Sequence, residues 1–466
     1  MIKIKLKNQH STTFFLFLII FYCAILRFYN LNFQSYWLDE IANFNIFKNT
    51  SGFNDILFKI KEHPYVPYFY YLLHLTDRIF DLTPYGARVT SVIFGLLGLL
   101  TFHLLSSEYF EKKSTRLWGT LIFGLSHVNI YYSQEFAPYS MIMCLVCLST
   151  WSLIKSYKKE EKRYLFLYTL LSIYFVGTHF LMVVFVLSQG LAYLFIIRNK
   201  KPKWFLWCSV YAIIVITFLP WLPKAIMLNH AQRLYTPQVM DFFNYYYRLY
   251  KDIYVTILIS ALTVVGLYHY CKYKLYDFLE FKNILLLSSA FLPGMLLFIK
   301  SQILTPSFQF RYLTMSFPFI ILIQIILLEK SDFRFMKANR NFALLTVAMS
   351  ISLLFHKYYW TPTHPDFRNL SIKIIEQVAS NDILLCNSFT SDEFNFYLKS
   401  MNTSIRCFKN INGFTSAKLK DLVASSRGEN KKIWLAQNNE LEIKVQSNEA
   451  ARLNKYIFTN LTLQEL

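Results

Sequence analysis

About eleven apolar runs, most of them close to the length that crosses a bilayer, alternate with short charged loops along this chain. A helix needs roughly 20 apolar residues to span the ~30 Å hydrocarbon core. The runs cover 12–29, 86–107, 117–133, 138–154, 164–178, 181–197, 204–222, 252–271, 283–299, 312–328 and 341–357. Such a pattern predicts a polytopic α-helical membrane protein. Only 16% of the residues are charged, against about a quarter in soluble domains. The net charge of +20 does not imply nucleic-acid binding, because the Lys and Arg residues form no single stripe or arm. They sit at the ends of apolar runs.

Loop charge sets the orientation. With the N-terminus inside, the inner loops hold Lys112, Lys113 and Arg116, then Lys155 to Arg163, Arg198 to Lys203, Lys272 to Lys282, and Lys330 to Arg340. The outer loops are longer and poorer in Lys and Arg, as the positive-inside rule requires. Lys3, Lys5 and Lys7 ahead of the first run imitate a signal peptide, but no small-residue cleavage site follows Ile25, so the run is expected to stay as the first span. The pair 164–178 and 181–197 together exceeds one span, and Gly177-Thr178-His179 is the expected turn.

Two segments depart from the alternation. The first outer loop, 30–85, is long for a connector and carries an apolar-aromatic stretch from Tyr65 to Leu75, too short to span and suited to the interface. The tail after Lys357 turns polar. Short apolar runs at 382–386, 405–408 and 432–436 and helix-like stretches at 367–379, 392–399 and 417–424 predict a small soluble α/β domain over 358–466, outside the membrane. The expected division is thus 1–357 and 358–466. Cys386 and Cys407 fall in that tail and can pair in an oxidising compartment, whereas Cys144 and Cys147 lie inside a span, where a thiol is a small hydrophobe.

Ionisable residues at span ends are costly to bury and are therefore candidates for function. Asp39 and Glu40 follow the first span in Ser35-Tyr-Trp37-Leu-Asp-Glu40. An acidic dipeptide in a loop is most often simply solvated. Here the aromatic flank places it at the interface, where partial desolvation raises carboxylate basicity. His63 in Glu62-His63-Pro64 reads alone as a turn cap. Gln134 and Glu135 occupy a very short outer hairpin, Tyr131-Tyr-Ser-Gln-Glu135, followed by Tyr139. His179 sits in the turn between two spans. Arg88 and Arg311 stand on the outer side, against the charge bias, and an anionic headgroup is a fitting partner for each. No Gly-rich phosphate loop, H-E-x-x-H or nucleophile elbow is present.

The order of these motifs resembles the polytopic GT-C type glycosyltransferases, specifically the dolichyl-phosphate-mannose protein mannosyltransferase and aminoarabinose transferase superfamily. Trp37-x-Asp39-Glu40 is similar to the family's acidic pair. His63-Pro64 with Tyr70-Tyr71-Leu72-Leu73 resembles its H-P-P-x-x-Y-x-L-L stretch. Arg88-x-x-Ser91, Ser133-Gln134-Glu135 with Tyr139, Thr178-His179-Phe180 and Arg311-Tyr312 also have counterparts, and the tail with Asp366-Phe367-Arg368 resembles the variable soluble domain. Two positions depart: Ala137 stands where the second signature has Arg, and Tyr65 where the first has its second Pro.

The resemblance implies transfer of a monosaccharide from a polyprenyl-phosphate donor to an acceptor hydroxyl, with inversion. Asp39 is expected as the base, with Glu135 positioning the acceptor or sharing charge, beside Glu40. Arg311, Arg88 and His63, the last only when protonated, are expected at the donor phosphate. Gln134, Tyr139, His179 and Trp37 would position the acceptor or the loops. The resemblance favours metal independence and no cofactor. Whether a divalent ion bridges Asp39, Glu135 and His179 stays open. Expected partners are the lipid-linked sugar, an envelope or lipid acceptor and membrane lipids, with no nucleic acid. Abundant Ile, Lys, Phe and Asn suggest an AT-rich genome and a bacterial inner membrane, with the site facing the periplasm. A flippase for a lipid-linked anion would show inverted repeats and broken helices in both halves, and none is visible. A catalytically dead relative that binds glycolipid is the remaining alternative.

Overall fold

A computed structural model of the chain describes residues 2–48, 50–61, 66–197, 201–223, 236–273, 280–304, 306, 308–330, 338–355, 359–360, 362, 364–386, 391–409, 432–438, 455–458 and 461–465. Its contacts divide the chain into two units, Met1–Tyr29 with Ile46–His356, and Asn30–Asn45 with Lys357–Leu466.

The helices, in chain order, are α1 (Ile2–Phe28), α2 (Leu38–Phe47), α3 (Phe53–Lys59), α4 (Tyr68–Phe80), α5 (Pro84–Ser106), α6 (Lys113–Leu125), α7 (His127–Gln134), α8 (Tyr139–Lys159), α9 (Lys162–Val176), α10 (Met182–Ile197), α11 (Lys201–Phe218), α12 (Met240–Tyr250), α13 (Ile253–Tyr273), α14 (Phe281–Ile303), α15 (Phe317–Lys330) and α16 (Ala338–Phe355). Among the described residues, five stretches are long and apolar enough to cross a membrane: Ser11–Phe28, Pro84–Ser106, Tyr139–Lys159, Trp204–Trp221 and Phe281–Ile303. Shorter apolar helices occupy Met182–Ile196, Ile253–Tyr268, Phe317–Glu329 and Asn341–Leu353.

Burial ranks these helices. The apolar window of α8 is 72% buried and that of α1 only 11%, so α8 lies at the centre of the unit and α1 at its rim. On the face of α13, Gly266 permits close approach, since a Cβ there would stand 2.3 Å from the Leu327 carbonyl oxygen of α15. Small residues let helix backbones meet where lipid supplies no hydrophobic drive. The run expected as one span at 117–133 is broken: α6 ends at Leu125, Ser126 is extended, and α7 restarts at His127. The Ser126 hydroxyl donates to Phe123 O at 2.7 Å, so a carbonyl freed by the break is satisfied by a side chain. Likewise the run 312–328 opens as a 3-10 turn, Phe310–Met315, before α15. The expected turn at 177–179 does separate α9 from α10. The aromatic stretch of the first outer loop forms α4, which buries Phe69, Tyr70, Leu73 and His74 on one face.

The second unit carries a five-stranded sheet of order β2-β1-β3-β5-β4. Its strands are β1 (Ile383–Cys386), β2 (Cys407–Lys409), β3 (Ile433–Asn438), β4 (Lys455–Phe458) and β5 (Leu461–Glu465). β1 runs parallel to β2 and β3, whereas β5 is antiparallel to β3 and β4. Helices α17 (Phe367–Gln377) and α18 (Ser391–Ser400) belong to the same unit. Cys386 and Cys407 form a disulfide, with Cα atoms 5.7 Å apart. The sheet is larger than the sequence suggested: β4 and β5, two short strands close to the end of the chain, escaped the reading. The helix expected at 417–424 lies outside the described residues.

Candidate active site

In the first unit, a network around one buried arginine sets the position of the hairpin that carries Glu135. Arg27, at the end of α1, has no exposed surface. Its guanidinium donates to Cys23 O at 3.0 Å, Gly124 O at 3.1 Å, Asn129 Oδ1 at 3.0 Å and Ser133 Oγ at 3.2 Å. The break between α6 and α7 is thereby clamped to the first helix. Gln134 completes the clamp, its amide donating to Arg27 O at 2.9 Å and to Tyr29 O at 2.8 Å. Glu135 then ends α7 in extended conformation, its N–H donating to Tyr131 O. Beyond it, Phe136 wedges between Phe47 and Phe69, and Ala137 is buried with its N–H on Glu135 O at 2.9 Å.

From this hairpin an aromatic belt leads to two cations. Tyr132 packs on Tyr139, the first residue of α8, at 4.8 Å between centroids; Tyr139 reaches His179 at 6.5 Å, and His179 reaches Tyr312 at 5.3 Å. Arg311 lies over the Tyr312 ring, its guanidinium carbon 5.5 Å from the centroid, and donates to Gln309 Oε1 at 2.6 Å. Tyr132 stands within electrostatic reach of Glu135, Arg311 and Arg248. Arg248 comes from α12 and lies over Phe310. Tyr245, one turn earlier, ties α12 to the 3-10 turn by donating to Leu313 O at 3.1 Å.

These groups enclose a cavity of about 440 Å³ lined by Tyr132, Asp241, Asn244, Tyr245, Arg248, Phe308, Gln309, Phe310 and Arg311. A second, apolar cavity of about 260 Å³ lies between α13, α14 and α15 and shares Tyr245 as a wall. The first can hold a polar, anionic group against two guanidinium groups; the second suits a hydrocarbon.

The expected residues distribute unevenly over this arrangement. Arg311 lines the polar cavity, Tyr139 and His179 lie along the aromatic belt between Tyr132 and Tyr312, Glu135 stands within electrostatic reach of Tyr132, and Gln134 holds the hairpin in place. Arg88 is fully buried on α5 and is not among the residues that line the cavity. His63 lies outside the described residues. Trp37, Asp39 and Glu40 belong to the second unit, at the start of α2; Glu40 is buried and Asp39 partly exposed. Among the described residues, no three His, Cys, Asp or Glu side chains gather where they could hold a metal ion. Arg27, Arg248, Tyr245 and Asp241 were not singled out from the sequence. Arg248 carried the same signal as Arg311, a cation on the outer side against the charge bias.

Burial pushes the His179 imidazole down to about 3, helped by the positive charge of Arg311. It is therefore neutral in the folded protein at any physiological pH, while an unfolded chain protonates it near 6.5. Between those values the unfolded state binds the extra proton, so folding stability falls as pH drops from 6.5 toward 3. His179→Gln should flatten that fall. Thermal unfolding of both proteins across pH 4 to 7 checks it, and equal acid sensitivity would remove His179 from the account.

Residues 62–223 match a family model described as dolichyl-phosphate-mannose-protein mannosyltransferase. No curated protein matches the sequence. Among solved structures, the chain is similar to ArnT from Cupriavidus metallidurans in the apo state, at TM-score 0.62 and 9% identity, covering 98% of each chain. It is also similar to the oligosaccharyltransferase AglB from Archaeoglobus fulgidus, solved with an inhibitory peptide and a dolichol-phosphate, at TM-score 0.56 and 10% identity over 93% of this chain and 70% of that one. The chain is thus a multi-pass membrane protein that shares the GT-C fold of ArnT and AglB, and its residues 62–223 are similar to the dolichyl-phosphate-mannose-protein mannosyltransferase model.

Proposed function

We propose that this protein transfers a monosaccharide from a polyprenyl-phosphate carrier to an acceptor hydroxyl on the extracytoplasmic face, with inversion at the anomeric carbon. The observation that carries the reading is the pair of adjoining cavities. One is polar and walled by Arg248 and Arg311, the other apolar, with Tyr245 common to both. A polyprenyl phosphate has that division: a charged head and a hydrocarbon tail.

In the reaction the acceptor oxygen attacks the anomeric carbon from the face opposite the phosphate. The carbon–oxygen bond to phosphate breaks, and its electron pair leaves on the phosphate. A phosphate monoester is a stable anion and needs no acid. The acceptor proton passes to the Asp39 carboxylate, and Arg311 and Arg248 steady the departing charge. Glu135, beside Tyr132, orients the acceptor. No step requires a metal or cofactor. The disulfide between Cys386 and Cys407 supports an oxidising, extracytoplasmic compartment for the tail. A bacterial inner membrane with the site toward the periplasm fits that compartment.

The test uses full-length protein in nanodiscs with a panel of polyprenyl-phosphate sugars and envelope acceptor extracts, following release of polyprenyl phosphate by mass spectrometry. Acceptor-dependent release is expected. Arg311→Ala should raise the donor KM by about 10- to 100-fold, the scale of a charged hydrogen bond. Carrier lipid that binds but is never released as free phosphate, with any extract, would replace the transferase with a lipid transporter or an inactive glycolipid-binding relative.

A further inference from the structure

Within the second unit, residues 30–37 form no regular element of their own, yet residues from Tyr359 to Tyr397 grip nearly all of them. Asn30 donates to Tyr359 O at 3.0 Å. The Arg368 guanidinium donates to Asn32 O at 2.6 Å and to Gln34 O at 3.3 Å. Ser35 donates to Asp366 Oδ1 at 2.9 Å, and that same carboxylate caps α17 by accepting from Asn369 N. The backbone N–H of Tyr36 donates to the Tyr397 hydroxyl, and its ring stacks on Phe396.

The last of these contacts bears on chemistry. Trp37 stacks face to face on His364, with centroids 4.9 Å apart and planes 4° from parallel. Its indole N–H is buried and makes no hydrogen bond among the described residues, so stacking rather than a polar contact orients the ring. Trp37 is also the N-cap of α2, since its carbonyl accepts from Ile41 N at 3.0 Å. A residue at the N-cap sets the direction of the first turn, and that turn holds Asp39 and Glu40. The His364 stack and the first turn of α2 thus meet at Trp37, two residues before Asp39.

We propose that the soluble tail is a working part of the transferase, and that His364 is a positioning residue which, by stacking on Trp37, holds the Asp39 carboxylate in line with the acceptor hydroxyl. This rests on the reading of Asp39 as the base. Displacing a catalytic group by about 1 Å can cost on the order of 100-fold in rate, which gives a positioning contact enough leverage to be measured.

The experiment compares native protein, His364→Ala, His364→Phe, Arg368→Ala and Asp39→Asn, all full-length in nanodiscs, for kcat, donor KM and thermal midpoint. His364→Ala should lower kcat at least about tenfold with donor KM unchanged. His364→Phe, which keeps a flat ring but no ring nitrogen, should recover most of that loss. Arg368→Ala releases the same segment from a second point, so it should lower kcat in the same way even where His364→Ala fails to fold. Native kcat in both alanine variants, with Asp39→Asn inactive, overturns the positioning role and leaves the transferase reading standing. A kcat that follows the thermal midpoint across all the variants reduces the contact to stability alone and likewise overturns it. Full turnover in Asp39→Asn overturns the base assignment and this proposal with it.

Discussion

Asp39→Asn is expected to abolish sugar transfer while donor binding survives, with kcat falling by about 10²- to 10⁴-fold, the range for loss of a general base. An amide of the same shape keeps the hydrogen-bonding outline of the carboxylate but takes no proton at neutral pH. The neighbouring acid supplies the control. Glu40 is 1% exposed, so no acceptor hydroxyl reaches it without displacing its surroundings, whereas Asp39 is partly exposed. Glu40→Gln should therefore lower the thermal midpoint more than it lowers turnover. Both carboxylates sit in the first turn of α2, where the helix dipole favours negative charge, so neutralising either one loses that small contribution. The measurement is kcat and donor KM by release of polyprenyl phosphate, with thermal unfolding in parallel. If the two variants exchange profiles, Glu40 is the base and Asp39 the support.

The helical part of the fold was legible because each apolar run is a thermodynamic necessity in lipid, where backbone groups must be satisfied within the segment. The break at Ser126 was not, because hydropathy alone cannot show a helix end whose carbonyls are taken up by a distant arginine. Arg27 lies inside the first run, 12–29, and nothing local in the sequence names the carbonyls and side chains that it holds. Site residues close together in sequence, such as Tyr131 to Tyr139, announced themselves by composition. Arg248 did not: it stands between the runs 204–222 and 252–271, on the expected outer side like Arg311, but no motif of the resemblance includes it. The second unit was least legible of all. Ser35 meets Asp366 across 331 positions, and nothing local in either segment names the other. The terminal strands β4 and β5 are 4 and 5 residues long, too short for period-2 alternation to stand out.

Arg27→Ala is expected to cost the fold about 3 kcal/mol or more, the scale for removing a charged partner from a buried polar network. Truncation leaves Cys23 O, Gly124 O, Asn129 Oδ1 and Ser133 Oγ without their donor. It also opens a void where packing is tight: a Cβ on Gly95 would already approach Arg27 Nε at 3.3 Å and Ser133 Oγ at 2.1 Å. Arg27→Lys should recover only part of the loss, because one ammonium cannot fork to carbonyls on α1 and α6 and to two side chains on α7. The functional consequence follows from the same geometry. Gln134 hangs on the backbone of residues 27 and 29 and survives the truncation, so α7 keeps one tether and loses the other. Glu135, one residue on, should then wander, and kcat measured below the lowered thermal midpoint should fall by about tenfold or more. Thermal unfolding and turnover on the same nanodisc preparations separate the two effects. An alanine variant with native stability would mean that the arginine network is dispensable and that the break between α6 and α7 is held by packing alone.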